Sequence, residues 1–295
     1  VHRLSYIGFR FVVGLFKFIP FPLLYRLSDI LRFILKDILG YRRSVIDQNL
    51  AYCFPEKTKA ERALIASDYY RNFVDIILES IKGLVVDPKK LIPRFRVRNP
   101  ELWTEAYKAN EHLITYSQHY NNWEWATICM GLQTEHHIIG VVKLIANPLI
   151  DKYMNEGRTG NNVSVLPAKE SGRYFQNLHN KSNPQALVFI ADQRPSGKER
   201  YLELQFLGGV GRFHHGAAIY AARVGLAIYS IDIHRISRGR YEVELVQLAA
   251  KGHGLTPKQI TTRYKEHLEK LLRQRPESWL WTHKRFKQYL DYKKK

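Results

Sequence analysis

His119 and Glu124 are the pair in this chain best placed for proton chemistry. The run Leu113-Ile114-Thr115-Tyr116-Ser117-Gln118 reads as a buried strand that ends at His119. Tyr120-Asn121-Asn122-Trp123-Glu124 then opens a helix. Five positions apart on one continuous helix, the two side chains would diverge by about 140°. They meet only if His119 lies in the turn before the helix and Glu124 reaches back from the first turn. A carboxylate placed there fixes the imidazole tautomer and supports its protonated form, the base-plus-orienter arrangement that activates a hydroxyl.

Two further residues are site candidates. The strand Ala186–Ala191 ends at Asp192-Gln193, and ligands of open α/β sheets bind beyond the carboxyl ends of the strands. Asp192 is therefore either a site group or the first turn residue after a buried strand. Arg158 follows a predicted helix, where it could hold a phosphate or a developing oxyanion; among 46 Lys and Arg residues a surface position is the default. Ser117, two residues before His119, is conceivable as a nucleophile and simpler as a structural strand-end residue.

Other chemistries lack their residues. There is no G-x-S-x-G elbow and no H-E-x-x-H, and Gly208-Gly209-Val210-Gly211 lacks the Lys-Ser/Thr of a phosphate-binding loop. The doublets His136-His137 and His214-His215 point neighbouring rings apart. Two cysteines, Cys53 and Cys129, make neither a disulfide framework nor a four-thiolate zinc site. They read as reduced thiols of a cytosol-facing protein. No metal and no cofactor is expected.

The elements that must position these groups follow from residue 95 onward. Strands are expected at Phe95–Arg98, His112–Tyr116, His137–Val142, Val163–Leu166, Ala186–Ala191, Gly225–Ile233 and Tyr241–Val246. Between them lie helices near 100–109, 122–131, 147–157, 169–180 and 213–224, then a long one at 257–273. This alternation predicts an α/β fold, a central mostly parallel sheet flanked by helices. Residues 57–85 predict one more long helix, with Asp68, Arg71, Asp75 and Glu79 along its polar side.

Of the first 40 residues 24 are apolar, yet the longest uncharged stretch is only Phe18–Tyr25, interrupted by Pro20 and Pro22. A spanning helix needs about 20 apolar residues. Arg3, Arg10 and Lys17 recur every seven residues against Ile7, Phe11, Val12, Leu15, Phe16 and Ile19; Arg26, Asp29, Arg32 and Lys36 oppose Leu23, Leu27, Ile30, Ile34 and Leu35. Two basic amphipathic helices joined by a proline turn are expected to lie in a membrane interface. The expected division is an amphipathic helical membrane-associating segment at 1–50 and an α/β domain at 51–295. The chain starts at Val1, and a segment ahead of it is left open.

Lys and Arg outnumber Asp and Glu by 46 to 27, a net charge of +19. Such an excess points to a polyanion, either nucleic acid or an anionic membrane surface. No zinc-finger spacing and no aromatic-studded RNA-binding strand is present, and Arg94, Arg96 and Arg98 read as a solvated strand face. An anionic membrane surface is the expected partner, with no nucleic acid.

These residues fall into a pattern. His119-x4-Glu124 resembles the H-x4-D/E motif of glycerolipid acyltransferases, and the rest of the chain is similar to the lipid A late acyltransferases of Gram-negative bacteria, which transfer lauroyl or myristoyl chains. In order, the matching stretches are Pro22-Leu23-Leu24-Tyr25-Arg26, Gly40-Tyr41-Arg42-Arg43, Asn147-Pro148-Leu149-Ile150-Asp151 with Arg158, Asp192-Gln193, Phe206-Leu207-Gly208, and Pro276 to Lys287 with Trp279, Trp281, His283, Arg285 and Phe286. The resemblance implies that His119 is the general base, drawing a proton from an acceptor hydroxyl that attacks a thioester carbonyl. Glu124 would orient and charge-stabilise it. Arg158 and Asp192 would be further active-site residues. The implied acyl donor is acyl carrier protein, the implied lipid acceptor a phosphorylated glycolipid of the lipid A precursor type, and the implied location the cytoplasmic face of the inner membrane.

The chain departs from the family pattern at Val210–Ala218, where threonines are usual, and in the segment with Arg194, Lys198 and Arg200. Both stretches bear on the acceptor more than on the reaction type. The alternatives are acylation of a lysophospholipid, an aminolipid or a mannosylated lipid, and a membrane-interface binding protein without catalysis.

Overall fold

The computed structural model describes residues 2–197 and 199–292. Lys198 and the three lysines that close the basic C-terminus lie outside the described residues. Two helices, α1 (His2–Phe16) and α2 (Phe21–Phe33), open the chain and are followed by α3 (Arg43–Cys53) and the 25-residue α4 (Lys59–Gly83). The remainder alternates: β1 (Phe95–Val97), α5 (Pro100–Lys108), β2 (Leu113–Ser117), α6 (Trp123–Cys129), β3 (His137–Val142), α7 (Pro148–Arg158), β4 (Val163–Pro167), α8 (Ser171–Gln176) and β5 (Gln185–Ile190). A hairpin of β6 (Tyr201–Phe206) and β7 (Gly209–His214), then α9 (Gly216–Val224), β8 (Ala227–Ser237), β9 (Arg240–Ala249) and α10 (Pro257–Gln274) complete it.

Seven strands form one sheet in the order β1-β9-β8-β2-β5-β3-β4, parallel throughout except for the β8–β9 pair. The expected α/β class and mostly parallel sheet are what the chain adopts. β2 sits near the middle and is buried along its whole length, as a strand covered on both faces must be. The caps of the two longest helices are local. Thr58 accepts from Glu61 N while Glu61 accepts from Thr58 N, and Thr256 and Gln259 do the same at α10, two reciprocal capping boxes.

The structure corrects three expectations. Residues 209–214 are strand, so the helix expected at 213–224 begins only at Gly216. Tyr201–Phe206 alternates in burial as a hairpin arm does, and Leu207-Gly208 makes the two-residue turn, with Leu207 at φ +53°. Gly208 and Gly209 are needed there: a Cβ would come 2.2 Å from Pro55 Cδ or from Tyr52 Cζ, so only glycine lets the hairpin seat on the end of α3. The helix expected at 169–180 is broken into α8 and two short 3-10 turns.

The third correction concerns Asp75 and Glu79, expected on the polar side of α4 but fully buried. Asp75 accepts from Arg235 Nη2 at 2.6 Å, from Arg238 Nη2 at 2.7 Å and from Ser28 Oγ at 2.6 Å. Glu79 accepts from Tyr25 at 2.9 Å, Tyr241 at 2.7 Å and Asn122 Nδ2 at 2.8 Å. A helical-wheel reading cannot see these partners, which arrive from α2, β8–β9 and the turn before α6. Burial pushes the Glu79 carboxyl up to about 7 against the pull of the Tyr241 hydrogen bond. The folded protein then holds this proton better than the unfolded chain does, so stability is fully present below pH 4.5 and is lost as pH rises through about 7. The total is about 3 kcal/mol. Urea unfolding at pH 4.5, 6 and 7.5 is expected to follow that fall, and Glu79→Gln to flatten it.

α1 buries only Val13 and Phe16; Leu4, Ile7, Phe11, Val12 and Leu15 stay exposed, as does Phe18 beyond it. Lys82 Nζ caps its C-terminal carbonyls at Phe16, 2.6 Å, and Lys17, 3.2 Å. α1 also rests on α7: Asn147 Nδ2 donates to His2 O and Ser5 Oγ, and Phe9 and Arg10 pack on the Tyr153 ring. No described helix is long and apolar enough to cross a membrane.

Candidate active site

β2 and β5 are parallel neighbours in a register that pairs Ser117 with Ile190. His119 and Asp192 each lie two residues beyond that pair, so they emerge side by side at the carboxyl edge of the sheet. The imidazole Nδ1 donates to Asp192 Oδ1 at 2.8 Å. Asp192 is 1% exposed, and its second oxygen accepts from Trp279 Nε1 at 2.6 Å. Burial works against its charge, but the His119 ring and the Trp279 N–H outweigh it and hold the carboxyl below the usual carboxylate range.

With Nδ1 protonated, Nε2 carries the lone pair and accepts from the Gln193 amide at 3.2 Å. The Trp123 ring stands edge-on to the imidazole at 5.0 Å. Leu280 N donates to the His119 carbonyl at 3.1 Å, and Asn121 N donates to Ser278 O at 2.9 Å, so the C-terminal segment fixes this turn from outside. Asn121 itself takes a left-handed φ of +55°, which Asn tolerates better than most residues. Its side chain donates to Ile233 O at 2.6 Å and accepts from Asn72 at 3.1 Å.

Glu124 is placed otherwise than the spacing suggested. Asn122 caps α6 by accepting from Trp125 N, and Glu124, on the first turn, meets Arg158 at the last residue of α7. Arg158 Nε donates to Oε2 at 3.1 Å and Nη2 to Oε1 at 2.7 Å, a bidentate pair. The expected His119–Glu124 contact is absent among the described residues, because Asp192 and Gln193 take both ring nitrogens and Arg158 takes the carboxylate. The carboxylate that orients the ring comes from the next strand. Arg158 is correspondingly no free surface side chain.

His119, Glu124 and Arg158 line one cavity of about 570 Å³, walled by apolar groups, among them Met130, Ile138, Val188, Phe175, Phe189 and Ile231. The volume is that of a small-molecule site. Lys143, Arg158 and Arg200 line it together with two carboxylates, Glu124 on Arg158 and Glu199, which ties Lys143 at 3.0 Å to His214 at 3.2 Å. Burial pushes the His214 imidazole down to about 4. Ser117 also lines the cavity, but no hydrogen bond joins it to His119 among the described residues. No group of three or more His, Cys, Asp and Glu suited to a metal ion occurs among them either.

Sequence reasoning passed over four contributors. Gln193 and Trp279 stood inside recognisable stretches without a role, and Asn122 and Asn121 gave only a turn signal. Adjacency of Asp-Gln to a strand end was the available clue for Gln193; nothing local announces the reach of Trp279 across 87 positions.

The chain matches the profile of the family described as bacterial lipid A biosynthesis acyltransferase over residues 3–288. It is 20% identical over 277 residues to the lipid A biosynthesis palmitoleoyltransferase of Escherichia coli K12, covering 94% of this chain and 89% of that one. A lipid A biosynthesis acyltransferase of Shigella flexneri is similar at the same identity and coverage. The lipid A biosynthesis lauroyltransferase of Escherichia coli K12 is 24% identical over 152 residues, 52% of this chain and 49% of that protein.

Proposed function

The chain belongs to the bacterial lipid A biosynthesis acyltransferase family, and from that premise we propose that it transfers a fatty acyl chain from an acyl carrier protein thioester to a hydroxyl of a lipid A precursor-type glycolipid. His119 is the general base and Asp192 its orienting partner. The observation that carries this reading is the Asp192–His119 pair, whose imidazole lines a cavity walled largely by apolar groups.

The steps balance within these residues. The acceptor hydroxyl displaces the Gln193 amide from Nε2 and gives its proton to His119 as its oxygen attacks the thioester carbonyl. Asp192 stabilises the imidazolium through Nδ1–H, as a buried carboxylate does in hydrolase triads. When the tetrahedral centre collapses, the C–S bond breaks and the thiolate takes the proton back from His119. Arg158, held by both oxygens of Glu124, presents a fixed positive edge to the cavity for a phosphate or the developing oxyanion. The apolar walls receive the acyl chain.

The exposed apolar residues of α1, flanked by Arg3, Arg10 and Lys17, support seating of residues 1–50 on the cytoplasmic face of the inner membrane. The net charge of +19 supports attraction of an acidic carrier protein and an anionic acceptor. Mass spectrometry of total lipids from a deletion strain tests the reaction, with loss of one acyl chain from lipid A expected. An unchanged lipid A beside a changed aminolipid or phospholipid would replace the acceptor, and no consumption of acyl thioester by the purified protein would remove the enzyme reading. On the membrane side, Phe11→Asp with Leu15→Asp is expected to cut co-sedimentation with anionic vesicles at least several-fold while activity on detergent-dispersed acceptor persists.

A further inference from the structure

Arg285, in the Trp279–Phe286 stretch, has no part in the chemistry so far. Its guanidinium is 2% exposed, and among the described residues Nε, Nη1 and Nη2 have no hydrogen-bond partner. It lies against the rings of Phe213, at 4.9 Å, and Phe286, at 5.8 Å. Phe213 packs edge-on against Phe206 at 5.1 Å, and Phe206 packs against Trp279 at 6.1 Å, the residue that donates to Asp192. A permanently charged group without hydrogen bonds is a costly thing to bury, and cation–π contact recovers only part of the cost.

Groups close enough to act on Arg285 electrostatically come from every side. Asp192 arrives from the end of β5, Tyr264 from α10, Cys53 from α3, and Tyr289 and Tyr292 from the C-terminal segment. His214 of β7 and His283 face it as well. Burial holds both of those rings neutral, their values pushed down to about 4. Asp192 is therefore the carboxylate in this group, and it is the one bonded to His119.

We propose that Arg285 is a positioning residue for the Asp192–His119 pair: a buried counter-charge, joined to it through the Phe213, Phe206 and Trp279 rings, that keeps the Asp192 carboxylate charged against Nδ1. The charge acts through space, so its lack of hydrogen bonds is no defect. A guanidinium bonded directly to Asp192 would compete with His119 for the carboxylate oxygens. Joined to the pair through aromatic rings, it supplies the field without that competition.

The proposal rests on His119 acting as the base, so two readouts are needed. The first is the pH profile of kcat/KM. Removing the positive charge in Arg285→Met leaves the field of Asp192 on His119 unopposed, and the acid limb is expected to move up by about half to one pH unit. Arg285→Lys should restore the wild-type limb; a limb unmoved in Arg285→Met overturns the proposal. The second is a thermal-stability cycle of Asp192→Asn, Arg285→Met and the double variant, which involves no turnover. Each single change leaves one buried charge unopposed, so the double variant is expected to be more stable than the sum of the single losses allows. Additive losses, or a double variant that fails to fold like Arg285→Met, would assign Arg285 to packing and reject the proposal. A coupled cycle together with activity retained in His119→Ala would instead overturn the base assignment alone.

Discussion

His119→Ala is expected to lower acyl transfer by about 10²–10⁴-fold with the fold intact. His119 lines the cavity, so alanine removes the lone pair proposed to receive the hydroxyl proton. The ring is 20% exposed, which keeps the packing loss small. Circular dichroism should stay near wild type and thermal unfolding should fall only by the loss of Asp192's partner, while turnover of acyl thioester falls at both saturating and sub-saturating acceptor. Loss in kcat with an ordinary KM for acceptor is the signature of a group that works in the transition state. Retained turnover would remove His119 from the mechanism and with it the role given to Asp192.

Asp192→Asn is expected to cost about 10²–10⁴-fold as well, although it changes a single heavy atom. The amide can turn its N–H toward Nδ1, which stabilises the tautomer with the proton on Nε2 and leaves no lone pair facing the acceptor. Glu124→Gln is a different experiment. It leaves both hydrogen bonds of the ring in place and loosens Arg158, so its loss should be non-additive with that of Arg158→Ala and multiplicative with that of Asp192→Asn. Coupling of Glu124 to His119 in place of Arg158 would return the orienting role to Glu124.

These outcomes separate what could be read along the chain from what could not. The strand at Leu113–Ser117, the turn at His119 and the helix after it were legible because hydrophobic runs, strand ends and Asn-rich turns are local signals. Asp192 was legible as a strand-end acid for the same reason. The partnering of the four polar residues was not. Spacing along one segment favoured His119 with Glu124, and that spacing says nothing of what approaches from β5 or α7. Asp75 and Glu79 were misplaced by the same limit, since a helix periodicity shows which residues share a face but not which face another element will cover. The β6–β7 hairpin was hidden by Gly and His residues that carry little strand propensity; its place is fixed by Gly208 and Gly209 against Tyr52 and Pro55.

The class of fold, the candidate site positions and the basic, apolar helices at the start were all legible along the chain. Each of those is set by periodicity or residue type within a window of a few turns. Which acid pairs with the histidine became visible only with the strands in place. Strand order places β5 beside β2, the register pairs Ser117 with Ile190, and two residues later His119 and Asp192 stand at hydrogen-bonding distance. Adjacent parallel strands lie about 4.8 Å apart, so the positions that follow a register pair are held together by backbone hydrogen bonds, a constraint that exists only once the sheet has formed.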